Sequence, residues 1–211
     1  EEIPVTQALA VFDEHGLVLA TDSRATRFSE SGQAEIFSVE KLLPLGRFTA
    51  ILSGGAGVSV PLALALRHEI GQRRGLDDLD HMVEFALEFL TRGYHRYLHQ
   101  HGPDPEGFRR VYFIMAGYSP DYPPPGYRLY LLGSEENEPL QLMPVTNLVV
   151  MPRNLGMEMR LFKALTANVE LAELLNLSKE FLEKQAELKE EVGPPYFYAT
   201  ITPAGYRPVE V

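Results

Sequence analysis

Hydrophobic and polar positions along the chain fall into two rhythms. Short apolar stretches bounded by turn residues read as strands, and longer ones repeat at helical spacing. Residues 6–12 and 17–22 predict two strands, joined across Asp13-Glu-His-Gly16, where glycine supplies the turn. Residues 27–33 are polar and predict a loop, followed by short strands at 34–39 and 42–45 and a more buried one at 48–53. Gly54-Gly-Ala-Gly57 then interrupts, and Leu62, Leu66 and Ile70 recur at helical spacing until Arg73-Arg-Gly75. A second helix is predicted from Asp77 to about His99, with acids in its first turn, where the helix dipole favours them.

The second half repeats the theme. Residues 110–117 and 127–132 predict strands around a Pro-rich turn, and 140–150 holds one or two more. Residues 157–190 predict two helices with a break near Asn168, stopped by Val192-Gly-Pro-Pro195. Strands at 196–202 and 206–210 close the chain. Strands, two helices, strands, two helices, strands is the order of an α+β protein rather than of alternating βαβ units. No internal repeat or interdomain linker is visible, and 211 residues suit one domain.

Composition narrows the function classes. Nineteen Lys and Arg against 29 Asp and Glu leave a formal charge of −10, and no basic run exceeds a pair, so a nucleic-acid partner is not expected. The absence of cysteine removes disulfides, thiol nucleophiles and Cys-based metal sites. No apolar run approaches the length that spans a bilayer and no secretory signal opens the sequence, so the expectation is a cytoplasmic protein without a membrane partner.

Candidate chemistry concentrates near the start. Thr6 opens the first strand, Asp22 ends the second in Ala20-Thr-Asp-Ser-Arg24, Lys41 follows in Glu40-Lys-Leu-Leu, and Gly54 of Ser53-Gly-Gly-Ala-Gly57 comes thirteen residues after Lys41. Taken singly these are a strand threonine, a turn-forming acid, a solvated lysine and a helix-initiating turn. The glycine turn lacks the Lys-Ser/Thr of a phosphate-binding loop, so a nucleotide site is not expected. His95, His99 and His101 could suggest a metal, but an exposed helix end that favours cationic His is the simpler reading.

Taken together, these residues resemble the opening of proteasome β-type subunits, which are N-terminal-nucleophile hydrolases. The Ala-Thr-Asp-Ser-Arg block and Val192-Gly-Pro-Pro195 are similar to the bacterial proteasome homologue Anbu. The resemblance covers most of the chain and is sharpest over residues 6–60. It implies a four-layer αββα sandwich, with a helix pair outside each of two packed antiparallel sheets. Thr6 falls on the nucleophile and Asp22 on the catalytic acid. Lys41 falls on the catalytic lysine, with Glu35 in Glu35-Ile-Phe as the competing alignment. The Gly54 N–H falls on the oxyanion donor. The resemblance further implies polypeptide substrates, self-assembly into rings or stacked oligomers, and no cofactor. An unfoldase partner is not readable.

The nucleophile of this family must be the first residue, because its free α-amine carries the proton. Five residues precede Thr6. Residues 1–5 are therefore expected to be a leader ahead of a domain spanning 6–211. Val5 stands where self-processing relatives have glycine. Pro152-Arg-Asn-Leu-Gly156 and Glu190-Glu-Val-Gly-Pro-Pro195 replace the family's later Ser and Asp helpers. Three functions stay open on these grounds: a threonine peptidase subunit, an inactive ring or scaffold subunit with a blocked threonine, or an N-terminal-nucleophile amidase acting on a small molecule.

Overall fold

A computed structural model describes residues 6–28, 34–76, 78–101, 109–134 and 139–210. In chain order the elements are β1 (Ala8–Phe12), β2 (Leu17–Thr21), β3 (Arg24–Phe28), β4 (Ala34–Ser38), β5 (Leu42–Gly46), β6 (Thr49–Gly55), α1 (Ser59–Gln72) and α2 (Leu79–His101). There follow β7 (Val111–Tyr118), β8 (Tyr127–Gly133), β9 (Gln141–Met143), β10 (Leu148–Met151), α3 (Leu155–Thr166), α4 (Leu171–Leu188), β11 (Phe197–Thr202) and β12 (Gly205–Val209). The protein is α+β, and every strand pairing is antiparallel. One sheet has the order β10-β1-β2-β11-β12, a second β5-β6-β7-β8-β9, and β3 pairs with β4.

The inner strands are apolar on both faces because each face has its own core. Successive side chains of a strand point to opposite sides. Along β1 and β2, Ala8, Ala10, Leu17 and Leu19 join a cluster with Leu52, Ile114 and Leu131 of the second sheet. The alternate set, Leu9, Val11, Val18 and Ala20, packs on Met157 and Leu161 of α3 and Leu174, Phe181 and Leu182 of α4. The second sheet divides likewise: Leu43, Ile51 and Phe113 face Leu66 of α1 and Met82, Leu90 and Tyr94 of α2. Among the described residues, no helix is long and apolar enough to cross a membrane.

Several expected boundaries move. Residues 24–28 form β3, where a loop was expected to begin at 27; the stretch Arg-Ala-Thr-Arg-Phe has no apolar alternation, and pairing with β4 is what extends it. The 140–150 region splits, β9 joining β8 and β10 crossing to β1. Asp77 lies outside the described residues, and the second helix begins at Leu79. The break between α3 and α4 falls at Asn168, whose φ of 50° is the left-handed conformation asparagine tolerates at a helix end. Asn154, in the segment that replaces the family's serine turn, caps α3 by accepting the Met157 N–H at 2.9 Å.

Candidate active site

The β1–β2 hairpin brings the first two candidates together. Its register sets Ala8 opposite Thr21, so the next rung outward holds Gln7 and Asp22. The Gln7 N–H donates to Asp22 Oδ1 at 3.0 Å, and the Asp22 N–H donates to the Gln7 carbonyl at 3.1 Å. Asp22 is thus held beside the residue that follows Thr6. Its other oxygen, Oδ2, accepts the Arg24 N–H at 3.0 Å.

Lys41 enters from the other sheet. It sits immediately before β5, where its carbonyl accepts the Ser53 N–H at 2.9 Å. Its Nζ reaches Asp22 Oδ1 at 3.2 Å and donates to the Arg24 carbonyl at 2.5 Å. Thr6, Asp22 and Lys41 are all buried. Glu35, the competing candidate, is exposed on β4, in register with Arg27 of β3. Of the two alignments, only Lys41 meets Asp22.

Burial sets the electrostatics of this pair. Desolvation pushes the Asp22 carboxyl above the usual carboxylate range, and the Lys41 charge together with the Gln7 and Arg24 N–H groups pulls it part of the way back. Desolvation lowers the Lys41 ammonium below the usual lysine range, and Asp22 opposes that shift. The result is a dry, hydrogen-bonded ion pair whose amine gives up its proton more readily than a surface lysine would.

The glycine turn lies at the end of β6. Gly54 is paired with Tyr112 across β6 and β7. Along this strand the Ser53 N–H points to Lys41 on the β5 side, and the Ala56 N–H points to Arg110 on the β7 side. Backbone N–H groups alternate sides along an antiparallel strand. The Gly54 N–H therefore faces Tyr112, not the side from which Lys41 projects. Gly55 lies beyond the last β5–β6 rung. Gly55 has φ of 87°, and a Cβ there would collide with the Arg110 carbonyl, so only glycine fits.

Two residues at the site were not singled out for it in the sequence. Tyr112 of β7 is buried, and its hydroxyl donates to the Thr6 carbonyl at 2.7 Å. Burial, reinforced by the Asp22 charge, raises this phenol well above its ordinary range, so it stays a donor. Arg24 donates through its guanidinium to the Glu190 carbonyl and lies against Gly193. It thereby ties the Val192-Gly-Pro-Pro195 segment to the Asp22–Lys41 pair. The histidines lie elsewhere: His95 and His99 are exposed, and His101 Nδ1 bonds the Tyr97 carbonyl at 2.9 Å.

No family model and no curated protein sequence matches the chain. Among solved structures, the Anbu (Gly-1) mutant from Hyphomicrobium sp. strain MC1 superposes with a TM-score of 0.65 at 17% identity, over 97% of this chain and 85% of that one. The resemblance to Anbu thus extends over nearly the whole chain, and at this level of identity it is a resemblance of fold.

Proposed function

We propose that this chain is a proteasome-like threonine peptidase subunit that hydrolyses peptide bonds through Thr6 once residues 1–5 are removed. The observation that carries the reading is the buried Asp22–Lys41 pair, formed between two sheets and bonded to the backbone of Gln7, the residue after buried Thr6. In this reading the domain begins at Thr6 and forms a four-layer αββα sandwich, supported by the three apolar clusters lying between successive layers.

The chemistry needs no cofactor. A free Thr6 α-amine, with an ordinary pKa of roughly 7.7–8.0, is a competent base near neutral pH. It takes the hydroxyl proton as Oγ1 attacks the substrate carbonyl, then delivers it to the leaving amine as the C–N bond breaks. Water hydrolyses the resulting ester by the same relay in reverse. Lys41, held by Asp22, supplies positive charge beside the hydroxyl. The glycine turn that begins at Gly54 supplies a backbone N–H to the developing oxyanion. Polypeptides are the substrate class, self-assembly into a ring or stack is the working state, and the cytoplasm is the compartment.

The second reading, an inactive ring or scaffold subunit, is favoured by one observation: Val5, a stiff β-branched residue, precedes Thr6. Intact mass of the full-length protein after incubation at working pH and temperature separates the two. Loss of residues 1–5 together with hydrolysis of fluorogenic peptides, both abolished in Thr6→Ala, supports the peptidase. A retained leader and no hydrolysis supports the scaffold.

A further inference from the structure

Tyr112 reaches the site because of what stands opposite it. A Cβ at Gly54 would lie 2.6 Å from the Tyr112 Cε2 and closer still to Cζ, so the tyrosine ring fills the space that any other residue at 54 would claim. Laid across Gly54, the ring carries its hydroxyl out of the second sheet to the start of the first. There it meets two carbonyls, that of Thr6 at 2.7 Å and that of Met151 at 3.4 Å. A phenol has one proton, and the shorter contact takes it. Met151 has a donor of its own in Gln7 Nε2 at 3.3 Å. Thr6, by contrast, precedes Ala8, the first ladder pair of β1 with both β2 and β10. Its carbonyl is held by a side chain from the opposite sheet.

From this geometry we infer that Tyr112 is a positioning residue for Thr6. By holding the Thr6 carbonyl, it fixes the backbone rotation on which the placement of the threonine amine and hydroxyl depends, relative to the glycine turn behind its own ring. The inference rests on the peptidase reading. It adds that reactivity depends on a hydroxyl that touches neither substrate nor the reacting atoms. Preorganisation of this kind is felt in the chemical step, where small displacements of a nucleophile are costly.

The test compares full-length wild type, Thr6→Ala and Tyr112→Phe by peptide hydrolysis, thermal unfolding and intact mass. Phenylalanine keeps the ring on Gly54 and removes only the donor. The expected result is a kcat lowered about 10- to 100-fold with KM unchanged, and a Tm lowered by only about 2–4 °C. Wild-type kcat in Tyr112→Phe, beside an inactive Thr6→Ala, overturns the inference and leaves the peptidase reading standing. Equal losses in KM, kcat and Tm mark a purely structural role and also overturn it. An inactive wild type, or an active Thr6→Ala, removes the peptidase reading and this role together. Should Tyr112→Phe fail to fold, 3,5-difluorotyrosine placed at 112 decides, since it keeps ring and hydroxyl, makes the donor more acidic and adds only two small fluorines. A shifted kcat at constant KM then supports positioning, and an unshifted kcat overturns it.

Discussion

The Lys41 ammonium lies 3.2 Å from Asp22 Oδ1, with the two side chains 3% and 0% exposed. Two charges brought out of water repay their desolvation only through each other and through further hydrogen bonds. Here those bonds come from Gln7 and Arg24 to the carboxylate, and from the ammonium to the Arg24 carbonyl. The pair therefore joins the two sheets at the site, at an energetic cost that makes each member dependent on the other.

That dependence is measurable as a double-mutant cycle. Asp22→Asn or Lys41→Met alone strands one buried charge, and each should destabilise by about 3–5 kcal/mol. The double variant should lose less than the sum by at least about 1 kcal/mol, because no charge remains to be stranded. Chemical denaturation of the four proteins reads this directly. Strict additivity would mean that the two side chains do not interact in solution.

The pH response of Lys41→Met has a definite sign. Burial raises Asp22 in the folded state, and Lys41 is the first-ranked influence that lowers it. Removing Lys41 leaves a folded-state pKa further above the unfolded value. A group raised on folding contributes stability that is present below its unfolded pKa and lost as pH rises through its folded pKa. Lys41→Met should therefore lose stability relative to wild type as pH rises from the unfolded carboxylate value, about 4, through the raised folded-state pKa of Asp22. Denaturation midpoints of the two proteins across that range check it, and parallel curves would show that Asp22 is not the titrating group.

Gly54→Ala should be destabilising for a reason specific to its partner. The new methyl would enter the Tyr112 ring, and overpacking of a closed core costs about 1–3 kcal/mol. In a Tyr112→Ala background the same substitution should cost less, since the space has been vacated. Thermal unfolding of the four combinations measures the difference. An equal cost in both backgrounds would place the strain in the β6 backbone instead.

Much of the architecture is legible in the chain. Short apolar stretches mark the strands, helical spacing marks α1 to α4, and the order of elements indicates α+β. The neighbourhood of Thr6 and Asp22 is also legible, because one hairpin with a short turn sets its own register. Residues 24–28 were less so, since a polar segment becomes a strand only when a partner supplies the hydrogen bonds.

What the sequence determined by itself is local: which segments bury a face, where turns fall, and which residue types stand near one another across a hairpin. Three features were decided by tertiary structure. Lys41 rather than Glu35 meets Asp22, because the chain leaves through β3 and β4 and returns to the second sheet before Lys41 is reached. The Gly54 amide is turned toward Tyr112, because the β6–β7 ladder claims alternate N–H groups. Tyr112 reaches Thr6 because a glycine far away in the chain leaves room for its ring. Each depends on register between strands distant in sequence. Such register is set by packing two whole faces together, and no local pattern encodes it.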